Sequence, residues 1–238
     1  MKINKYVFFV STLCCVFVSS CGSGDDNNPQ EGSLEKTSIT LYVEETAHLT
    51  YSGGKCMWSS DNDLIAKVEN GTVTGEHVGT TTIHANNAIC TVTVKSKYND
   101  FVEPYRVWGA SIATVKNVMS SFTLQQQSLT LLMYEGLNKV DNYVYNFNIT
   151  GLYYCTMVVN YSYNDALVRY LNDRYVLVSY DYDKLEGVMV SPDKSIWVVS
   201  SVNDSSIGIG YSNNHSESID FTPFVQQGNR NTVDYVFR

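Results

Sequence analysis

The sequence predicts a mainly β chain: a small β-sandwich followed by an α+β domain of two helix-plus-three-strand units. Three observations carry this. Residues 33–98 hold seven short alternating apolar runs separated by turn residues, the pattern of a sandwich. Residues 99–238 hold two runs with helical periodicity, each followed by strand-like runs. The composition agrees, with 18 tyrosines, 9 phenylalanines and only 4 prolines in 238 residues, a flavour that suits sheets better than helical bundles. Hydrophobic residues make up 44% and charged ones 17%, enough to bury a core and to exclude global disorder.

In chain order, the first segment reads as an address. Lys2 and Lys5 precede an uncharged, mostly apolar run from Tyr6 to Phe17. That run is shorter than the roughly 20 residues a membrane-spanning helix needs, so residues 1–20 read as a secretory signal peptide. The run ends in Val18-Ser19-Ser20-Cys21-Gly22. Small residues before a cysteine at this place resemble the lipobox of bacterial lipoproteins, and the resemblance implies that Cys21 becomes the lipidated N-terminus. Residues 21–32 are polar and glycine-rich and read as a flexible tether. Their Ser23-Gly24-Asp25-Asp26 resembles the acidic export signal of Bacteroides-type surface lipoproteins. Loss of residues 1–20 removes two lysines, so the formal charge moves from −8 to −10. This acidity argues against a nucleic-acid partner.

Seven strands are expected within 33–98, near 38–43, 48–51, 56–60, 66–68, 72–74, 79–85 and 88–94. Asn70-Gly71 between two of them is a hairpin signal, because a type I′ turn needs positive φ at both central residues. Leu41, Val43 and Thr46, then Trp58-Ser59-Ser60, Ala66 with Val68, Asn70-Gly71-Thr72-Val73-Thr74-Gly75, Gly79-Thr80 with Ile83, and Thr93-Val94 together resemble the bacterial Ig-like group 2 (BIG2) domain. That family implies an Ig-like sandwich acting as a spacer, adhesion or binding module, with Trp58 in its core and no shared catalytic residues. Cys56 and Cys90 fall in two of its strands, and a disulfide between them is expected in an oxidising compartment, restraining the unfolded chain by roughly 3–4 kcal/mol.

Residues 99–104 read as a joint, with Pro104 disfavouring helix at Glu103. Ser111 is a fitting N-cap for a helix carrying Ile112, Val115, Val118 and Met119 on one face. Strands are expected at 129–134, 143–147 and 152–159. Asn164 or Asp165 is expected to cap a second helix through Leu167, Tyr170 and Leu171, followed by strands at 175–180, 187–190, 196–202 and 207–211. The order reads as a tandem repeat, about 105–163 and 164–212, with both helices on one face of a shared sheet. Gly109-Ala110-Ser111 with Val115 and Met119, Leu132-Met133-Tyr134, Tyr145-Asn146-Phe147 and Gly151-Leu152 resemble, over a short stretch, the fold shared by β-lactamase-inhibitor proteins and small outer-membrane assembly lipoproteins. That resemblance implies protein binding or scaffolding.

Signals for chemistry are sparse. His48, His77 and His84 have no metal-motif spacing, and His215 sits alone in a polar loop. Asp165, Asp173, Asp181, Asp183 and Glu186 cluster in sequence, but Asp181-Tyr182-Asp183 lacks the glycine and distal glutamate of a calcium loop. Cys155 lies in an apolar run and reads as a buried thiol. No catalytic residue, metal site or cofactor is assigned, and the expectation is a non-enzyme. Of the 18 tyrosines, 14 follow residue 100. Tyr143, Tyr145 and Phe147 share one strand face, as do Tyr161 with Tyr163 and Tyr180 with Tyr182. They form the candidate binding face for a glycan or a protein; β-propensity alone is the competing explanation. The expected function is a lipid-anchored outer-membrane or cell-surface protein, an Ig-like stalk presenting a C-terminal binding or structural domain. The alternative is a periplasm-facing assembly or inhibitor-like protein; an enzyme is the remote third. Oligomeric state is left open.

Overall fold

The structure, a computed structural model, describes residues 32–203 and 205–213. The signal segment, Cys21, all but the last tether residue and His215 lie outside the described residues. The described chain is mainly β, with two short helices.

Seven strands fill the first part: β1 (Ser38–Tyr42), β2 (Thr46–His48), β3 (Trp58–Ser60), β4 (Ala66–Glu69), β5 (Thr72–Gly75), β6 (Gly79–Ala85) and β7 (Ala88–Lys95). Four form a sheet in the order β1-β7-β6-β3 and three a sheet in the order β2-β5-β4. Asn70 and Gly71 both have positive φ, 48° and 81°, and close the β4–β5 hairpin as that dipeptide requires. Alternation sends Ile83 and Ala85 of β6 and Cys90, Val92 and Val94 of β7 inward. There they meet Leu41, Leu49, Ile65 and Val73 in one aliphatic core, against which Trp58 packs partly buried. The parallel pairing of β1 with β7 joins residues about fifty positions apart, which no local pattern announces.

The second part is one antiparallel sheet of eight strands. Helix α1 (Ile112–Val118) precedes β8 (Leu124–Gln127), β9 (Leu131–Glu135), β10 (Val140–Asn148) and β11 (Gly151–Asn160). Helix α2 (Asn164–Asn172) precedes β12 (Val176–Asp181), β13 (Glu186–Val190), β14 (Trp197–Val202) and β15 (Ser206–Ser212). The sheet order is β12-β13-β14-β15-β11-β10-β9-β8. The last strand of each run pairs with the other at the centre, from Cys155↔Tyr211 to Asn160↔Ser206. Val115 of α1, the following Met119, and Leu167, Tyr170 and Leu171 of α2 share one core with Tyr143, Tyr145 and Phe147 of β10, Cys155, Met157 and Val159 of β11 and Ile207, Ile209 and Tyr211 of β15.

Helix α1 is thus followed by four strands, where three were expected. The additional strand in the first run is β8, Leu-Gln-Gln-Gln, exposed at all four positions. It sits at the sheet edge and is held to β9 by backbone pairing, so it buries neither face and carries no alternating signal. Ser111 does cap α1, its Oγ accepting from Thr114 N at 3.1 Å. The second cap differs: Asn160, not Asn164 or Asp165, accepts from Ser162 N at 3.0 Å and starts a 3-10 turn at Tyr161–Tyr163 that runs directly into α2.

Candidate functional site

The aromatic residues singled out from sequence do not form one surface. Tyr143, Tyr145 and Phe147 lie on one face of β10, and that face is the buried one. Tyr143 Oη donates to Val102 O at 2.7 Å, and Tyr145 Oη contacts Met119 Sδ at 3.3 Å. Burial pushes the Tyr143 phenol up to about 12. These three rings hold the helices to the sheet and offer nothing to a ligand. Tyr161 and Tyr163 belong to the 3-10 turn rather than to a strand. Tyr163 is 39% exposed, with Lys139 Nζ 5.6 Å from its ring centre. Tyr182, 72% exposed, meets Tyr180 edge-on at 4.8 Å. Burial raises the Tyr180 phenol, with Tyr182 and Tyr161 adding to it. What remains of the candidate face is therefore Tyr161, Tyr180 and Tyr182, with Tyr163 apart.

The cysteine pairing also differs from expectation. Cys56, Cys90 and Cys155 are free thiols. Cys90 lies on β7, and Cys56 precedes β3; the sheet order places β6 between those strands. Strands two apart are separated by roughly 9.5 Å, beyond the span a disulfide bridges. Cys155 is buried, and burial raises its thiol far above the ordinary range, which leaves it unreactive.

The densest polar arrangement lies where the expected joint runs. Glu103 and Arg106 bracket the buried Pro104 and form an ion pair at 2.5 Å, their side chains only 18% and 22% exposed. Tyr175, which follows α2, bridges them: its Oη accepts from Arg106 Nη1 at 2.8 Å and donates to Glu103 Oε1 at 2.7 Å. The Arg106 guanidinium also lies 5.0 Å from the centre of the Tyr211 ring. Burial works against the arginine's charge, but Tyr175, Glu103 and Tyr211 outweigh it and hold the group protonated. Burial, followed by Glu103, drives the Tyr175 phenol well above its ordinary value.

Glu103 and Tyr175 border a cleft of about 350 Å³ between the two parts, with Ile65, Val78 and Thr80 on one wall and Tyr175, Pro192 and Ile196 on the other. Hydrogen bonds tie the walls together. Val78 N donates to Asp173 O at 2.7 Å, Asn62 Nδ2 to Pro192 O at 3.0 Å, and Ser96 Oγ to the buried Asp173 Oδ2 at 2.6 Å. Arg174 reaches Asn99 at 2.9 Å, and Lys139 pairs with Asp100 at 2.7 Å. The stretch read as a joint is therefore a strap bonded to the eight-stranded part, beside direct hydrogen bonds between the two parts. Its glutamate and arginine neutralise each other and its tyrosine is fixed between them, an arrangement suited to holding geometry.

No group of three or more His, Cys, Asp and Glu converges to hold a metal among the described residues. Of the carboxylates that cluster in sequence, Asp173 is the one drawn inward, onto Ser96; Asp165, Asp181 and Asp183 are exposed. Sequence reasoning missed the Glu103–Arg106–Tyr175 trio. The only local signal was an acid and a base three residues apart around a proline; their tyrosine lies about seventy positions on.

No family model and no curated protein matches this chain.

Proposed function

We propose that this is a lipid-anchored, non-catalytic protein of the bacterial envelope, acylated at Cys21 and presenting a β-rich body at the outer-membrane surface to a protein or glycan. One observation carries the reading: an uncharged apolar run behind two lysines that ends in Val18-Ser19-Ser20-Cys21 and passes directly into a polar, acidic tether. Several acyl chains on one cysteine give stable anchoring where a single chain gives marginal binding. The resemblance of residues 33–98 to the Ig-like group 2 domain supports a spacer or adhesion role for the first part. Its seven strands in two sheets around one core are compatible with that assignment. The strapped junction favours a stalk and head that act as one piece.

A second reading is a periplasm-facing protein that binds or assembles other envelope proteins. It is favoured by the helix-plus-four-strand order occurring twice, with the two terminal strands paired at the sheet centre. This suits a duplicated unit of the inhibitor and assembly-lipoprotein type.

Fractionation and protease shaving test both. Cys21→Ala is expected to move the chain out of the membrane fraction, and digestion on intact cells is expected under the surface reading. Full protection until the outer membrane is permeabilised would favour the periplasmic reading. A Cys21→Ala chain that stayed in the membrane fraction as before would contradict the anchor.

A further inference from the structure

Three loops at one end of the eight-stranded sheet carry aliphatic side chains that stand exposed among the described residues. The turn between β8 and β9 presents Leu129, 91% exposed, and the β10–β11 hairpin presents Ile149, 104% exposed. The segment before α1 presents Val107, 55% exposed. The loops are fastened to one another. Phe147 N donates to Thr130 O at 2.8 Å, Gly109 N to Leu152 O at 2.8 Å and Leu152 N to Ala110 O at 2.9 Å. Gly151, at φ 106°, lets the hairpin approach so closely that a Cβ there would lie 2.3 Å from Gly109 O.

Both tips are stiffened in the same way. Ser128 Oγ accepts from Thr130 N at 3.2 Å and Asn148 Oδ1 from Thr150 N at 2.8 Å, each bond spanning the aliphatic residue. A groove of about 470 Å³ separates the tips from the start of α1, so neither side chain leans on the helix. In a chain that is 17% charged, residues 107–113, 128–130 and 147–151 contain no charge at all.

Resting on the anchored reading above, we propose that this loop end is a second, non-covalent membrane contact, with Leu129 and Ile149 entering the interface of the bilayer that holds Cys21. Charge selects the bilayer as occupant. The body is acidic, and this end meets a lipid surface without bringing carboxylates to it, which suits neutral, zwitterionic headgroups. Free-standing aliphatic tips suit a fluid surface that closes around them, whereas protein hot spots sit in packed pockets. The contact is weak alone and effective because the tether holds it close. Residues 22–32 reach at most about 40 Å when extended.

The processed protein, purified from the cells that acylate it, is placed in phosphatidylcholine vesicles. Leu129→Trp and Ile149→Trp each add a fluorophore at a tip without displacing a neighbour; Thr72→Trp adds one on β5 as control. With brominated phosphatidylcholine, the added emission at 129 and 149 is expected to fall at least twofold and that at 72 to stay unchanged. Emission unchanged at both tips overturns the proposal. Unquenched tips together with photocrosslinking of residue 129 to an envelope protein would overturn it in favour of a protein partner. Failure of the anchored reading shows separately, as Cys21 without acyl mass and a chain that does not float with vesicles. The same variants are then held on nickel-chelating lipid through a histidine tag in place of residues 1–21, where the same fall in emission at the tips is expected and its absence overturns the proposal.

Discussion

The two parts of the molecule are both β, yet their cores are made of different materials. Residues 34–95 bury Leu41, Leu49, Ile65, Val73, Ile83, Val92 and Val94, a core that is aliphatic almost throughout. The eight-stranded part buries Tyr134, Tyr143, Tyr145, Tyr170, Tyr175 and Tyr211 among its aliphatics. An aliphatic core asks only for complementary shape. A tyrosine core also has hydroxyls to satisfy, and here they are spent on geometry: Tyr143 holds Val102, and Tyr175 bridges Glu103 and Arg106. The second part is therefore tied to the strap by directional bonds that the first part's interior lacks.

The largest expected effect sits at that tie. Glu103→Ala leaves Arg106 mostly buried and unpaired and should cost about 3–5 kcal/mol, read as a fall in the thermal or urea midpoint. The double variant Glu103→Gln with Arg106→Met should lose clearly less than the two single changes combined. A loss below about 1 kcal/mol for Glu103→Ala would mean that the junction does not hold the body together. Next comes Gly210→Ala on β15, where a Cβ would lie 1.7 Å from Tyr154 Oη. About 1–3 kcal/mol of overpacking is expected, relieved in part by adding Tyr154→Leu. Smaller still is Ser96→Ala, which removes the hydroxyl bonded to the buried Asp173 carboxylate and should cost about 1–2 kcal/mol.

The same contrast predicts a pH response. Burial is the first cause that raises the phenols of Tyr143, Tyr145, Tyr154, Tyr170, Tyr175 and Tyr211 above the ordinary value of 10. A raised native value means that this stability is fully present below pH 10 and is lost as pH rises through the native values. Absorbance at 295 nm should show these six ionising together with alkaline unfolding of the eight-stranded part. Smooth ionisation of all tyrosines near pH 10 with the fold intact would contradict the buried arrangement. The smallest test concerns the aliphatic part. Thiol counting on the unfolded, unreduced, processed chain should find Cys56, Cys90 and Cys155 all free; a count of one would restore the Cys56–Cys90 bond.

What could be read from sequence follows the same division. Aliphatic alternation and the Asn70-Gly71 turn place the strands of the first part close to where they lie, apart from β2, expected at 48–51 and found at Thr46–His48. In the second part, alternation finds the strands from β9 onward but cannot assign faces. A tyrosine every second residue suits a binding face and a buried one equally, and Tyr143, Tyr145 and Phe147 are buried. The edge strand β8 gave no pattern because neither of its faces is buried. The strap was read as a joint because Pro104 disfavours helix at Glu103, and its partners Arg174 and Tyr175 are about seventy positions away. The tips were not singled out because Leu129 reads as the start of the strand expected at 129–134, which begins at Leu131, and one aliphatic residue in a turn, such as Ile149, is common.

All of this bears on function through one point of attachment. The most direct measurement is the mass of the N-terminal peptide released from the protein in its native membrane. The account predicts a chain that begins at Cys21 and carries covalent acyl groups on that residue. A chain that begins elsewhere, with Cys21 unmodified or absent, would contradict it.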